Sequence, residues 1–262
     1  MSLHDGAVTS ATPAAPAPDL WHHYGRSRAR TDRTVPERLF WTWGQDSGPG
    51  AEILGDLTGA RVIDLGAGSG RQAAHLAVHH RVDHIDAVDA SAAQHAMARD
   101  LYGHLTPRLR LIHADVTDHL RASPAAYDLA YSLFGAACFT DPAVLLPAAA
   151  VALRPGGQLV VATLAHYLTG RPPAADLRAA DIPAKQPDGT AATMPRWVLD
   201  THVWTKALDN AGFTSITAEQ LPAAAPGHLG ANTLLLRAIR RTDLAPPGDW
   251  CADQEARTGQ AC

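Results

Sequence analysis

Cysteine and charge are both scarce in this chain of 262 residues. Its three cysteines, Cys138, Cys251 and Cys262, form no Cys-x-x-Cys pair, and an odd count builds no disulfide framework. Cys251 and Cys262 share the tail, where reduced thiols are the plain expectation. Charged residues make up 18% of the chain, below the usual fraction of about a quarter. The formal net charge is −4, so no whole-protein basic field draws in a phosphate backbone, and a nucleic-acid partner is disfavoured. Long apolar runs are missing too. The stretch Pro142–Leu153 is interrupted by Pro147 and ends at Arg154 and Pro155, too short for a membrane span. Residues 1–19 lack the basic start and apolar core of a signal peptide. These absences predict a soluble, cytoplasmic protein without a membrane partner.

What is present is a core. At 46% hydrophobic residues the chain can bury one α/β domain with a modest extra element. Residues 1–19, rich in Ala, Pro and Thr, are expected to be disordered, because they have little to bury. Residues 20–58 are expected to form an N-terminal helical cap holding Trp21, His22, His23, Tyr24, Phe40, Trp41 and Trp43. From residue 59 to 243 strands and helices alternate, the pattern of a doubly wound, mostly parallel sheet. Arg61–Leu65, Val82–Val88, Leu109–His113, Tyr127–Leu133 and Gln158–Leu164 read as five strands, with a turn at Leu153–Gly157 before the fifth.

Ser91 and Gln94 read as a capping box over a helix whose buried stripe is Ala93, Met97 and Leu101. Asp141 and Pro142 start another helix, and Asp200 caps a third that Gly212 stops. Residues 169–195 read as a long loop with little regular structure, inside a lid of about 166–198. Phe213–Leu221 and Asn232–Ile239 have no helix between them, so they must be antiparallel neighbours. The sum is a seven-stranded α/β sheet with an antiparallel last strand, followed by a flexible tail over 244–262.

The chemistry concentrates at Val62–Gly70, which reads Val-Ile-Asp-Leu-Gly-Ala-Gly-Ser-Gly between a strand and a helix. Gly66, Gly68 and Gly70 let backbone approach a ligand closely. The dinucleotide pattern requires a third glycine at position 71, where Arg71 stands, so the NAD reading fails there. Asp89 ends the second strand, where a carboxylate can accept both hydroxyls of a ribose. Asp86 is a rival, but alternation and the strand end favour Asp89. An aspartate after a strand is also, often, a helix cap.

With Asp64, Gly66, Gly68 and Gly70 the loop matches acidic-x-Gly-x-Gly-x-Gly, and the chain resembles the class I S-adenosylmethionine-dependent methyltransferases. The resemblance covers about Arg61 to Leu164. It implies S-adenosyl-L-methionine as cofactor and S-adenosyl-L-homocysteine as product. It implies that Asp64 contacts the cofactor ammonium, with Ala67 in the same loop. It implies that Asp89 and Ala90 hold the ribose, and Asp115 and Val116 the adenine. It further implies that Tyr131, Ser132 and Phe134 lie beside the transferring methyl group.

The segment Ser132–Cys138 has no carboxylate, unlike the metal-dependent catechol methyltransferases, so no metal is expected. Nor is it the Asn/Asp-Pro-Pro-aromatic loop of the amino-methylating DNA enzymes. The aminopropyltransferases match less well.

An oxygen acceptor needs a base, and His166, just past the fifth strand, is the candidate catalytic residue. Its bland reading is a strand-end histidine facing water. By the same resemblance Tyr24 could touch the cofactor from an N-terminal cap, with aromatic packing as the alternative. Of Trp41 and Trp43, Trp43 is favoured to face the site. Arg171, Arg178 and Lys185 in the insert could greet an acidic substrate or simply be solvated. His79, His80 and His84, near a helix end and the next strand, read as surface or C-terminal helix residues.

The function expected is methyl transfer to an oxygen or nitrogen of a small-molecule metabolite, with a homodimer compatible. The alternatives are a protein or peptide methyltransferase, or a SAM-binding protein without methyl transfer. Alanine and arginine usage is that of a GC-rich, actinobacterial-like genome and suits specialised metabolism.

Overall fold

The computed structural model describes residues 18–25, 33–223 and 230–242. The readings placed on residues 1–17 and on the tail beyond 242, including Cys251 and Cys262, lie outside the described residues.

The chain enters the sheet at β1, Arg61–Leu65. It continues through α1 (Arg71–His79), β2 (His84–Asp89), α2 (Ala92–Tyr102) and β3 (Leu109–His113). Then come α3 (Val116–Arg121), β4 (Tyr127–Leu133), the single turn α4 (Ala136–Phe139), α5 (Pro142–Ala152) and β5 (Leu153–Leu164). A two-stranded hairpin follows, β6 (Ala180–Lys185) and β7 (Ala191–Arg196), before α6 (Thr201–Asn210), β8 (Phe213–Leu221) and β9 (Thr233–Arg240).

The seven-stranded sheet has the order β3-β2-β1-β4-β5-β9-β8. The first five strands pair in parallel, and β9 lies antiparallel between β5 and β8. The order reverses between β1 and β4, so the crevice beyond the carboxyl ends of those strands is where an open α/β sheet receives a ligand. Helices cover both faces, which is why β1 and β4, and β5 from Gly157 onward, are buried almost throughout.

Several helix starts follow the sequence chemistry. The Ser91 hydroxyl accepts from the Gln94 N–H at 3.1 Å, and Asp141 and Asp200 accept from the N–H groups of Ala143 and His202. Gly212 leaves α6 with φ of 94°, the left-handed stop.

Four expectations need correction. First, the described part of residues 20–58 carries only a 3-10 helix, Ala51–Leu54, instead of a helical cap. Its order comes from tertiary bonds instead: Trp41 is fully buried with its indole N–H on the Gly50 carbonyl at 2.9 Å. Second, residues 169–195 contain a hairpin, with Pro187, Asp188 and Gly189 in its turn and Gly189 at φ of 90°. Third, the stretch Leu153–Gly157 is a bulged entry into β5, where the register against β4 shifts between Tyr127 and Leu129. Fourth, the buried stripe of α2 is Gln94, Ala98, Leu101 and Tyr102, and Met97 is half-buried at its margin.

The turns leaving β1 and β4 press together. A Cβ on Gly66 (φ 81°) would meet the Ala136 nitrogen at 2.3 Å. One on Gly135 would meet the carbonyl oxygens of Leu65 and Gly66 at 2.4 and 2.5 Å. These obstacles are backbone, so nothing can rotate away. Gly135→Ala should therefore lower stability by about 1–3 kcal/mol or more, the usual range for overpacking. Urea unfolding checks this, and a wild-type midpoint would show that the two turns can part cheaply.

Candidate active site

A cavity of about 1110 Å³ opens over the carboxyl ends of β1 to β4. That is the size of a large ligand site. Each strand contributes its terminal residue or the turn after it. Asp64 comes from the end of β1, Gly66, Ala67, Gly68, Ser69 and Arg71 from the turn after it, and Asp89, Ala90 and Ser91 from the β2 end. Asp115 and Val116 follow β3, and Leu133, Phe134 and Gly135 end β4. Strand alternation explains the selection of acids. Asp86, three residues before Asp89, turns away to accept from the exposed Arg110 at Nη2 (2.7 Å) and from the Tyr127 hydroxyl (2.6 Å).

The acids are in unlike settings. Asp64 is 3% exposed. Its register neighbour on β4 is Tyr131, whose hydroxyl donates to Asp64 Oδ2 at 2.8 Å. Burial pushes the Asp64 carboxyl up to about 7, the phenol bond opposes this, and the charge of Asp89 adds to it. The same burial holds the Tyr131 hydroxyl well above its usual value, so it remains a donor.

Asp89 anchors the glycine turn. Its Oδ2 accepts the Gly68 N–H at 2.7 Å and its Oδ1 the Ser91 N–H at 2.8 Å. Burial raises its carboxyl, these two bonds pull it back, and Asp19 raises it further. Asp115 lines the cavity and also caps α3, taking the N–H groups of Thr117 (2.8 Å) and Asp118 (3.0 Å) on Oδ1.

Two elements outside the parallel core wall the cavity. Residues 18–25 form a strap across α2. The Asp19 carboxylate accepts the Ser91 hydroxyl at 2.8 Å and the Ala93 N–H at 3.1 Å. The Gln94 amide donates to the carbonyls of Trp21 and Tyr24, both at 2.9 Å. Gln94 therefore holds the strap, and the second half of the expected capping box is not formed. Trp21 meets Phe139 edge-on at 4.5 Å. From the other side come Ile182 to Lys185, Met194 and Arg196 of the hairpin. Strap and hairpin meet at His23 Nε2 and the Gln186 carbonyl, 3.1 Å apart.

The remaining expected residues divide. Trp43 lines the cavity, edge-on to Phe134 at 5.0 Å, while Trp41 belongs to the core. Tyr131 and Ser132 are not cavity-lining and sit behind the wall. Ser132 donates to the Leu65 carbonyl at 2.9 Å and accepts the Ala137 N–H at 3.1 Å. Gly70 also stays out of the lining and makes the turn into α1. Tyr24 borders the cavity but is 63% exposed.

His166 does not line the cavity, and both ring nitrogens are engaged. The Asn232 N–H donates to Nε2 at 3.3 Å, so Nδ1 carries the hydrogen and donates to the Tyr167 carbonyl at 3.0 Å. The expected base is a loop staple, fixed by a β9 approach that its sequence position does not reveal. In the insert, Lys185 lines the cavity, Arg171 stacks on Tyr167, and Arg178 pairs with Asp176. Gln94, Asp19 and Arg196 were not anticipated. Among the described residues no group of three or more His, Cys, Asp or Glu side chains could hold a metal ion, and no helix is long and apolar enough to cross a membrane.

Sheet order, reversal point and glycine turn together define a class I methyltransferase fold. Residues 62–157 match the model of a family described as a methyltransferase domain. Within residues 62–157 the chain carries a methyltransferase domain.

Solved structures share the fold. An S-adenosylmethionine-dependent methyltransferase from Mesorhizobium loti aligns with TM-score 0.51 and 22% identity, over 72% of this chain and 94% of that one. Geranyl diphosphate C-methyltransferase from Streptomyces coelicolor gives 0.54 at 13%, over 71% and 72%. Phosphoethanolamine N-methyltransferase 2 from Haemonchus contortus gives 0.52 at 14%, over 72% of this chain and only 51% of its own. No curated protein matches the chain.

Asp64 makes stability depend on pH. Its folded value, about 7, lies above the unfolded value of 3.8. The folded protein therefore binds the proton more tightly, and stability from this group is lost as pH rises from about 4 through 7. Asp64→Asn cannot lose a proton. Its melting temperature relative to wild type should rise between pH 5 and pH 8, and a pH-independent difference would contradict the buried, protonatable carboxyl.

Proposed function

We propose that this methyltransferase moves a methyl group from S-adenosyl-L-methionine to an oxygen or nitrogen of a small-molecule metabolite. The observation that carries the small-molecule reading is the meeting of strap and hairpin through His23 and Gln186, which walls the cavity on two sides. A protein or peptide substrate would need an open groove there.

The site fits the cofactor on its own terms. A buried carboxylate bordering a cavity needs a cation, and Asp64 has only a neutral phenol. The ammonium of the cofactor would supply that cation. Gly66, Ala67 and Gly68 would lie along the methionine part. Asp89 and Ala90 would take the ribose, because each Asp89 oxygen keeps acceptor capacity beyond its backbone bond. Asp115 and Val116 would take the adenine, with Asp115 Oδ2 left by the capping bonds. Trp43 and Phe134 would border the acceptor side.

When bound, the cofactor supplies an activated methyl on a sulfonium. The protein's task is then to orient the acceptor and exclude water. Such positioning contributes roughly 7–11 kcal/mol to lowering a barrier. Trp21, Phe139 and the hairpin residues close an apolar wall that serves both ends.

Calorimetric titration with S-adenosylmethionine, S-adenosylhomocysteine and NAD tests the reading. Micromolar binding of the two sulfur compounds, no binding of NAD, and at least tenfold weaker binding to Asp89→Ala are expected. Affinity for S-adenosylmethionine should strengthen as pH rises toward 7, because its ammonium requires ionised Asp64. Asp64→Asn should weaken binding and flatten that profile. Binding of NAD alone would overturn the assignment.

A further inference from the structure

Arg196 ends β7 and lines the cavity at only 6% exposure. Its guanidinium stands 5.1 Å from the Trp43 ring centre and 5.2 Å from that of Phe139. No carboxylate among the described residues is within ion-pair reach of it, and its buried Nε has no hydrogen-bond partner. The next residue is pinned, as the Trp197 N–H donates to the Cys138 carbonyl at 2.8 Å. Arg196 is thus held in place by backbone, by the rings and by the buried thiol of Cys138, a neutral group that burial keeps from ionising. The other buried arginine, Arg240, differs: it donates to the Leu153 carbonyl and does not border the cavity.

Burying a guanidinium without an anion is costly, and contact with aromatic rings offsets only part of that cost. The acids of the cavity lie at the glycine-turn end, where Asp64 and Asp89 face the cofactor side. Arg196 comes from the hairpin, with Phe134, Phe139, Ile182 and Met194 as apolar neighbours in the lining. We propose that Arg196 is the anion anchor of the acceptor site, and that the acceptor is an apolar, planar carboxylic acid. A carboxylate suits a single fixed guanidinium, whose fork it can meet with two parallel hydrogen bonds. A phosphate dianion asks for more than one cation, and the other cation that the hairpin brings to the lining, Lys185, is solvent-exposed. The proposal rests on the small-molecule methyltransferase reading and names its substrate class.

The test uses the full chain saturated with S-adenosylhomocysteine. Benzoate and 2-naphthoate are titrated beside their neutral amides and inorganic phosphate, by ligand-observed NMR and tryptophan fluorescence. The carboxylates should bind at least tenfold tighter than the amides, and tighter than phosphate. Arg196→Met, which keeps the stem and loses the charge, should weaken carboxylate binding about tenfold or more, the loss expected for charged hydrogen bonds. Arg196→Lys should fall between. Equal binding of acids and amides, no binding of either acid at millimolar concentration, or unchanged binding to Arg196→Met would overturn the proposal, and preference for phosphate would overturn the carboxylate class. Should Arg196→Met fail to fold, the acid–amide contrast on the wild type and Arg196→Lys decides. Failure of S-adenosylhomocysteine to bind would sink the methyltransferase reading instead, and carboxylate binding to the wild type is scored without it.

Discussion

Two backbone turns share space that a single methyl group would fill. Gly66, leaving β1, and Gly135, leaving β4, approach so closely that a Cβ on either would overlap main-chain atoms of the other. This contact spans the point where the strand order reverses. It sets the depth of the cavity floor, because Asp64 precedes one turn and Phe134 the other. Ser132 ties the same place together, bonding the Leu65 carbonyl and the Ala137 N–H. The glycine turn is thus held from beneath by β4 and from the side by Asp89, whose carboxylate takes the Gly68 N–H. A cavity built this way needs little rearrangement to receive a ligand.

Charge is laid out along that cavity in a definite order. Burial raises the carboxyls of both Asp64 and Asp89, and the charge of Asp89 raises Asp64 further, so the glycine end holds buried acid in want of a cation. The hairpin end has the opposite deficit, since Arg196 is buried without an anion. Each end is poorly compensated by the protein itself. Both deficits are of the kind that a bound molecule relieves, and the two ends call for opposite charges.

The walls come from segments with little regular structure or none in the sheet. The strap is fixed by side chains of α2, with Asp19 and Gln94 carrying four hydrogen bonds between them. The hairpin is fixed through Trp197 on Cys138 and through the rings around Arg196. Such tertiary attachments open at lower free energy than the sheet beneath them, which suits parts that admit and enclose a ligand.

Periodicity and local chemistry were enough to give the parallel core, because apolar strands and capped helices write their pattern into neighbouring residues. The acid–glycine spacing at Asp64, Gly66, Gly68 and Gly70 and the alternation separating Asp89 from Asp86 were likewise local. The hairpin turn was also written locally, in Pro187, Asp188 and Gly189, but short strands with small residues carry a weak period. What the sequence could not decide was partnership across distance. Tyr131 belongs to Asp64 because parallel register sets them side by side. His166 is spent on Asn232 because β9 returns beside β5. Gln94, which local rules assign to its own helix cap, binds a strap some seventy residues earlier. A side chain's type fixes which bonds it can make, and only the tertiary fold fixes which partner arrives first.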